Sequence, residues 1–104
     1  MLKNVYLGEN AKKVLDKLSL EIQVEFYSLF QALEKEGKLD FPHAKKINNK
    51  LFEIRIKIKN LYRAFYAYVD QKDIIILHIF NKKTQKTPNK EIKLAQKRLS
   101  KYEK

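Results

Sequence analysis

The residues whose types and spacing bear on chemistry begin at Leu51. In Leu51 to Ile58, LFEIRIKI, apolar and charged residues alternate strictly. On a strand this puts Phe52, Ile54, Ile56 and Ile58 on one face and Glu53, Arg55 and Lys57 on the other. Arg63 joins the charged face if the next segment pairs antiparallel through a turn near Asn60. Lys82, Lys83 and Lys86 follow in the loop after Phe80, and together these side chains outline a cationic basin. Arginine is a planar, permanently charged fork matched to phosphate, and a strand holds it more rigidly than a tail does. The basin could therefore grip a phosphodiester. Its plainer alternative is the solvated outer face of a half-buried sheet.

Three strands must position that basin. Leu51 to Ile58 is the first. Leu61 to Val69, dense in aromatic and branched residues, is the second. Ile74 to Phe80 is the third, with Ile74, Ile75, Ile76 and Leu77 as a continuous apolar run expected of a strand buried on both faces. The polar connection Asp70 to Asp73 makes the three an antiparallel meander.

Upstream, Lys3 to Leu7 reads as a short strand ended by Gly8. Asn10 is expected to cap a first helix carrying Ala11, Val14, Leu15 and Leu18, and Ser19 a second carrying Ile22, Phe26, Leu29, Phe30 and Leu33 and stopping at Gly37. This hairpin has one apolar side, whose natural partner is the sheet face of Phe52, Ile54, Ile56, Tyr62, Ala64 and Tyr66. Lys38 to Lys50 is expected to be a surface loop, with at most one helical turn. A last helix follows Thr87 as its cap and Pro88 at its first position, with Ile92, Ala95, Leu99 and Tyr102 on its apolar stripe. Lys90, Lys93, Lys97 and Lys101 lie on its solvated side. The expected class is α+β: an N-terminal helical hairpin on a small, twisted, mostly antiparallel sheet, with a C-terminal helix.

A length of 104 residues sets a single domain spanning 1–104, with any site at its surface. The formal net charge is +11, which attracts polyanions: nucleic acid, an acidic protein or an anionic membrane surface. With no cysteine, disulfides and thiolate metal sites are excluded, and two histidines do not make a histidine-rich metal site. The two glycines provide no phosphate-binding glycine loop, and no serine motif accompanies a histidine. No cofactor or metal is expected. The N-terminus lacks an apolar signal core and no apolar run is long enough to span a bilayer, so the expected location is the cytoplasm, with no membrane partner.

LFEIRIKIKNLYRAFYAYV followed by IIILHIFNKKTQKTPNKEIKLAQKR closely resembles the RelE/ParE toxin superfamily, specifically its HigB-like, phage-derived branch. The carrying motifs are LFEIRIK, YR, the strand ending LHIF, and KKTQKTPNKEI before a lysine-rich helix. The resemblance implies a RelE-like fold and the toxin of a type II toxin-antitoxin system. It implies a metal-independent endoribonuclease, an mRNA interferase that cuts mRNA, usually on the ribosome, and is silenced by a helix-turn-helix antitoxin. In such a reaction the 2′-hydroxyl attacks the neighbouring phosphate, which requires a base, cations for the growing phosphorane charge and a proton for the 5′-oxygen.

By the same resemblance Arg63 matches the arginine of the YR element and Arg55 a basic position of active members, both assigned to phosphate and transition-state stabilisation. Lys83, or alternatively Lys82, matches a basic residue on the leaving-group side. Glu53 stands where some relatives carry a lysine base, and no tyrosine stands near Pro88 or Asn89. The base is left open between Glu53, whose neighbours Arg55 and Lys57 should make it weak, and His78 at the end of the last strand. Phe65 shares the face of Arg63 and is the expected stacking ring, although core packing is the usual role of such aromatics. Lys57, Lys82, Gln85 and Lys86 complete the expected RNA contacts. If Arg63 only pairs with Glu53 on an exposed face, the contact is worth about 0 to 1 kcal/mol. Two other functions remain: a gyrase poison of the ParE type acting through protein contacts, and an inactive nucleic-acid-binding homologue.

Overall fold

A computed structural model describes residues 2–58, 60–82 and 88–103. The chain runs β1 (Asn4–Leu7), α1 (Glu9–Asp16), α2 (Leu20–Glu36), β2 (Ala44–Lys46), β3 (Phe52–Ile58), β4 (Asn60–Tyr68), β5 (Asp73–Lys82) and α3 (Asn89–Leu99). Its sheet has the order β1-β5-β4-β3-β2. β3, β4 and β5 form the expected antiparallel meander, β2 adds antiparallel to β3, and β1 lies parallel to β5. The helical hairpin provides the crossover that a parallel pair requires.

Ser19 caps α2 by accepting from the Ile22 N–H at 3.5 Å, and Gly37 ends it at φ 79°, its N–H donating to the Leu33 carbonyl. Ile22, Phe26, Leu29, Phe30 and Leu33 are buried against Ile54, Ile56, Ala64 and Tyr66, so the expected helix-on-sheet layer is met. On the opposite sheet face, Ala95 and Leu99 of α3 pack with Phe65, Ala67, Ile75, Leu77 and Phe80. The sheet is therefore covered on one side by two helices and on part of the other by α3.

Several boundaries differ from the sequence reading. Gly8, not Asn10, precedes the first helical residue, because its N–H is already committed to the Ile76 carbonyl at 2.8 Å and the chain turns there. Lys38 to Lys50 contains an edge strand: Ala44, Lys45 and Lys46 pair with Ile54, Glu53 and Phe52. Three residues are too few for a period-2 signal. Pro88 is extended and caps α3 instead of opening it, while Tyr102 lies past the end of the helix and is exposed. Thr87 lies outside the described residues.

One irregularity decides what faces the site. Phe65 pairs with His78 but Tyr66 pairs with Ile76, leaving Leu77 as an extra residue in β5. This bulge switches the parity of the strand. Ile74 and Ile76 face the helical hairpin, whereas His78, Phe80 and Lys82 share the other side with Phe65, Arg63 and Leu61.

A cationic cleft as the candidate functional site

α3 leaves uncovered the end of the sheet where β3 and β4 turn. A cleft of about 590 Å³ opens there, lined by Phe41, Pro42 and His43 from the loop before β2, Arg55, Ile56 and Lys57 from β3, Leu61 and Arg63 from β4, and Lys82 from β5. Arg55 lies directly opposite Arg63 in the ladder. Like charges in that position repel, and an anion is needed to offset them. Glu53 supplies it within the protein: its Oε1 is 3.3 Å from Arg63 Nε, and the two side chains are 0% and 4% exposed. Arg63 also donates from a terminal nitrogen to the Tyr62 carbonyl at 3.1 Å. Its guanidinium is thus held from two sides.

The pairing of Glu53 with Arg63, the plainer alternative to a catalytic arginine, is present but buried, on a face that alternation alone marks as outer. Burial lowers the proton affinity of the Arg63 guanidinium; Glu53 opposes that and Arg55 adds to it. An arginine stays charged regardless. Lys82 is 5% exposed. Burial pulls the pKa of its ammonium down, Glu53 raises it, and Arg63, Lys45 and Arg55 lower it further. The cleft therefore holds more positive charge than it neutralises, in a partly dry setting where charges act strongly.

The other expected site residues are distributed differently. Lys57 is exposed at the cleft. Phe65 has no exposed surface and packs 5.2 Å from Phe80, so the ring expected to stack on RNA is core beneath α3. His78 lies on the same sheet face but outside the cleft lining. Arg98 approaches its Nδ1 at 3.1 Å and Glu91 Oε1 lies 3.1 Å from its Nε2. A guanidinium only donates, so Nδ1 accepts and Nε2 carries the proton toward Glu91. Lys83, Gln85 and Lys86 lie outside the described residues. Among the described residues no group of three or more His, Asp or Glu is placed to hold a metal ion, and no helix is long and apolar enough to cross a membrane.

The loop before β2 brings residues that sequence reading passed over. The His43 carbonyl accepts from the Arg55 N–H at 2.9 Å, which carries the β2–β3 register one step further and sets His43 opposite Arg55. Phe41 lies across Arg55, with 6.0 Å from the guanidinium carbon to the ring centroid. The one signal available for them was AKK after FPH, and it becomes legible only once the edge strand is known.

The family model described as phage derived protein Gp49-like matches residues 13–100. The chain belongs to that family. No curated protein matches it. Among solved structures, this Gp49-like chain is similar to a double arginine-to-alanine mutant of the E. coli toxin RelE in the free state, with a TM-score of 0.73 and 15% identity over 95% of this chain and 99% of that one. It is also similar to a chain of the toxin-antitoxin complex RelBE2 from Mycobacterium tuberculosis, with a TM-score of 0.61 and 20% identity over 79% of this chain and 100% of the other. The fold is RelE-like, and the family is the phage-derived one that the sequence motifs resemble.

Proposed function

We propose that this Gp49-like chain is the toxin of a type II toxin-antitoxin pair and a metal-independent endoribonuclease that cuts mRNA on the ribosome in the cytoplasm. The observation that carries the reading is the convergence of Arg55, Lys57, Arg63 and Lys82 on one cleft. Gyrase poisoning through protein contacts would not call for such a cationic, phosphate-binding cleft. The likeness to the toxin RelE and to a chain of the RelBE2 toxin-antitoxin complex supports the toxin role and a protein antitoxin.

In this mechanism Arg55 and Arg63 hold the non-bridging oxygens of the scissile phosphate. The 2′-oxygen forms a bond to phosphorus while the bond to the 5′-oxygen breaks, and the two arginines offset the charge that grows on the phosphorane. Lys82, acidified by burial and by neighbouring cations, donates a proton to the departing 5′-oxygen. His43, whose imidazole can both accept and donate a proton, takes the 2′-hydroxyl proton in preference to Glu53, which Arg63 engages. Products are a 2′,3′-cyclic phosphate and a 5′-hydroxyl.

The test is to map mRNA 5′ ends after induction of the chain without its partner, and to repeat cleavage on programmed ribosomes in the presence of a chelator. Discrete cuts within translated codons, unaffected by chelation, are expected. Intact mRNA accompanied by DNA-damage signals would replace this reading with gyrase poisoning. Binding of the antitoxin should weaken as salt rises, since exposed charges are screened within about 10 Å at 0.1 M.

A further inference from the structure

We propose that Phe41 is a nucleobase platform, so that the cleft holds an unpaired base beside the phosphate it grips. This rests on the reading of the cleft as an RNA site. Phe41 is 75% exposed. The other large exposed apolar residues among those described, such as Tyr6, Leu20, Val24, Tyr27 and Tyr102, do not line the cationic cleft.

The ring is exposed without being loosely attached. The N–H groups of His43 and Ala44 both donate to the Asp40 carbonyl, at 3.0 and 3.2 Å, closing a turn around Phe41 and Pro42. The His43 carbonyl then fastens that turn to Arg55 of β3. Arg55 lies over one side of the ring at a cation–π distance. One side chain is thus shared between two tasks: it lines the cleft and its guanidinium lies against the ring.

A nucleotide fits this pairing better than a peptide does. It carries an anion for Arg55, Arg63, Lys57 and Lys82 and, at a fixed short reach, a π face for Phe41. An apolar peptide side chain would cover the ring but leave the surplus positive charge of the cleft, which Glu53 offsets only in part, without a partner. The cleft volume of about 590 Å³ is adequate for a small planar group with its phosphate. Every base has a π face, so the platform should tolerate any base at its position.

The experiment uses the full chain and a short single-stranded RNA carrying 2′-O-methyl groups, which cannot undergo 2′-hydroxyl attack, so binding is measured apart from cleavage. Phe41→Ala should weaken binding about tenfold or more, while Phe41→Trp retains affinity. The chain contains no tryptophan, so the emission of Phe41→Trp is a single reporter, expected to be quenched by the RNA and unaffected by polyphosphate, which has charge but no bases. RNA with an abasic nucleotide at one position should bind the parental protein as weakly as intact RNA binds Phe41→Ala, with no further loss when the two are combined. Unchanged RNA affinity in Phe41→Ala would overturn the platform, leave phosphate binding standing and assign the exposed ring to a protein partner. Additive losses in Phe41→Ala and the abasic RNA would assign the ring to support of Arg55 alone and also overturn it. No binding of the RNA by the parental chain, either free or as the message on programmed ribosomes, would overturn both the platform and the RNA reading.

Discussion

Glu53 and Arg63 meet on the diagonal between β3 and β4, Oε1 to Nε 3.3 Å, in a pocket that solvent barely reaches. The arrangement gives Arg63 two roles that one substitution would confuse. Arg63→Ala should lower the cleavage rate by a factor on the order of 100 or more, because a transition-state contact is lost. It should also destabilise the fold by about 3 kcal/mol, because the Glu53 carboxylate remains buried after its guanidinium is removed. Adding Glu53→Gln to Arg63→Ala should restore much of the melting temperature and none of the rate. Single-turnover cleavage beside thermal melts of the same proteins separates the two, and a double variant that regains the parental rate would make Arg63 a structural residue only.

Lys82 links the cleft to alkaline stability. Its folded pKa lies below the ordinary 10.5, so between the two values the unfolded chain holds more protons and stability rises with pH. That contribution is lost as pH falls through the folded value. Lys82→Met should therefore raise the melting temperature at neutral pH and flatten its rise toward alkaline pH, while weakening RNA binding. A variant that melts lower at pH 7 would show that the ammonium contributes more to the fold than its burial costs.

His78 gives an acid counterpart. Burial pushes its pKa below 6.5, Glu91 opposes this by hydrogen bond and charge, and Arg98 reinforces it. Stability from the neutral ring is complete above pH 6.5 and is lost as pH drops through the lower folded value. A melting series through that window should show a decline that His78→Gln reduces. Because Arg98 and Glu91 occupy the ring nitrogens outside the cleft, His78→Gln should cleave RNA at close to the parental rate. A loss of a hundredfold or more in a well-folded variant would return His78 to the reaction.

Gly8 is required for space. A Cβ there would stand 2.9 Å from the Ile76 carbonyl oxygen, a backbone atom of the central part of β5 that cannot swing aside. Gly8→Ala should cost about 1–3 kcal/mol by overpacking. Denaturant midpoints at unchanged slope would register it, and a neutral result would mean that β1 and β5 can separate locally.

Residue order alone determined the layers. Strict alternation in β3, the apolar run of β5, and the Ser19 and Gly37 caps are local signals, fixed by side-chain period and capping chemistry within a few residues, and the helices and strands they mark are present. The same alternation placed Glu53, Arg55, Lys57 and Arg63 on one face. Tertiary structure decided what that face became. The Leu77 bulge reversed the parity of β5 and so brought Lys82 to the cations and His78 beneath α3; a bulge depends on cross-strand register, which no single segment encodes. β2, three residues long, turned an unreadable loop into an edge that sets His43 and Phe41 against Arg55. Phe65 is buried because α3, distant in sequence, packs over it, and the burial of Glu53 and Arg63 is likewise a property of their neighbours as much as of the residues themselves.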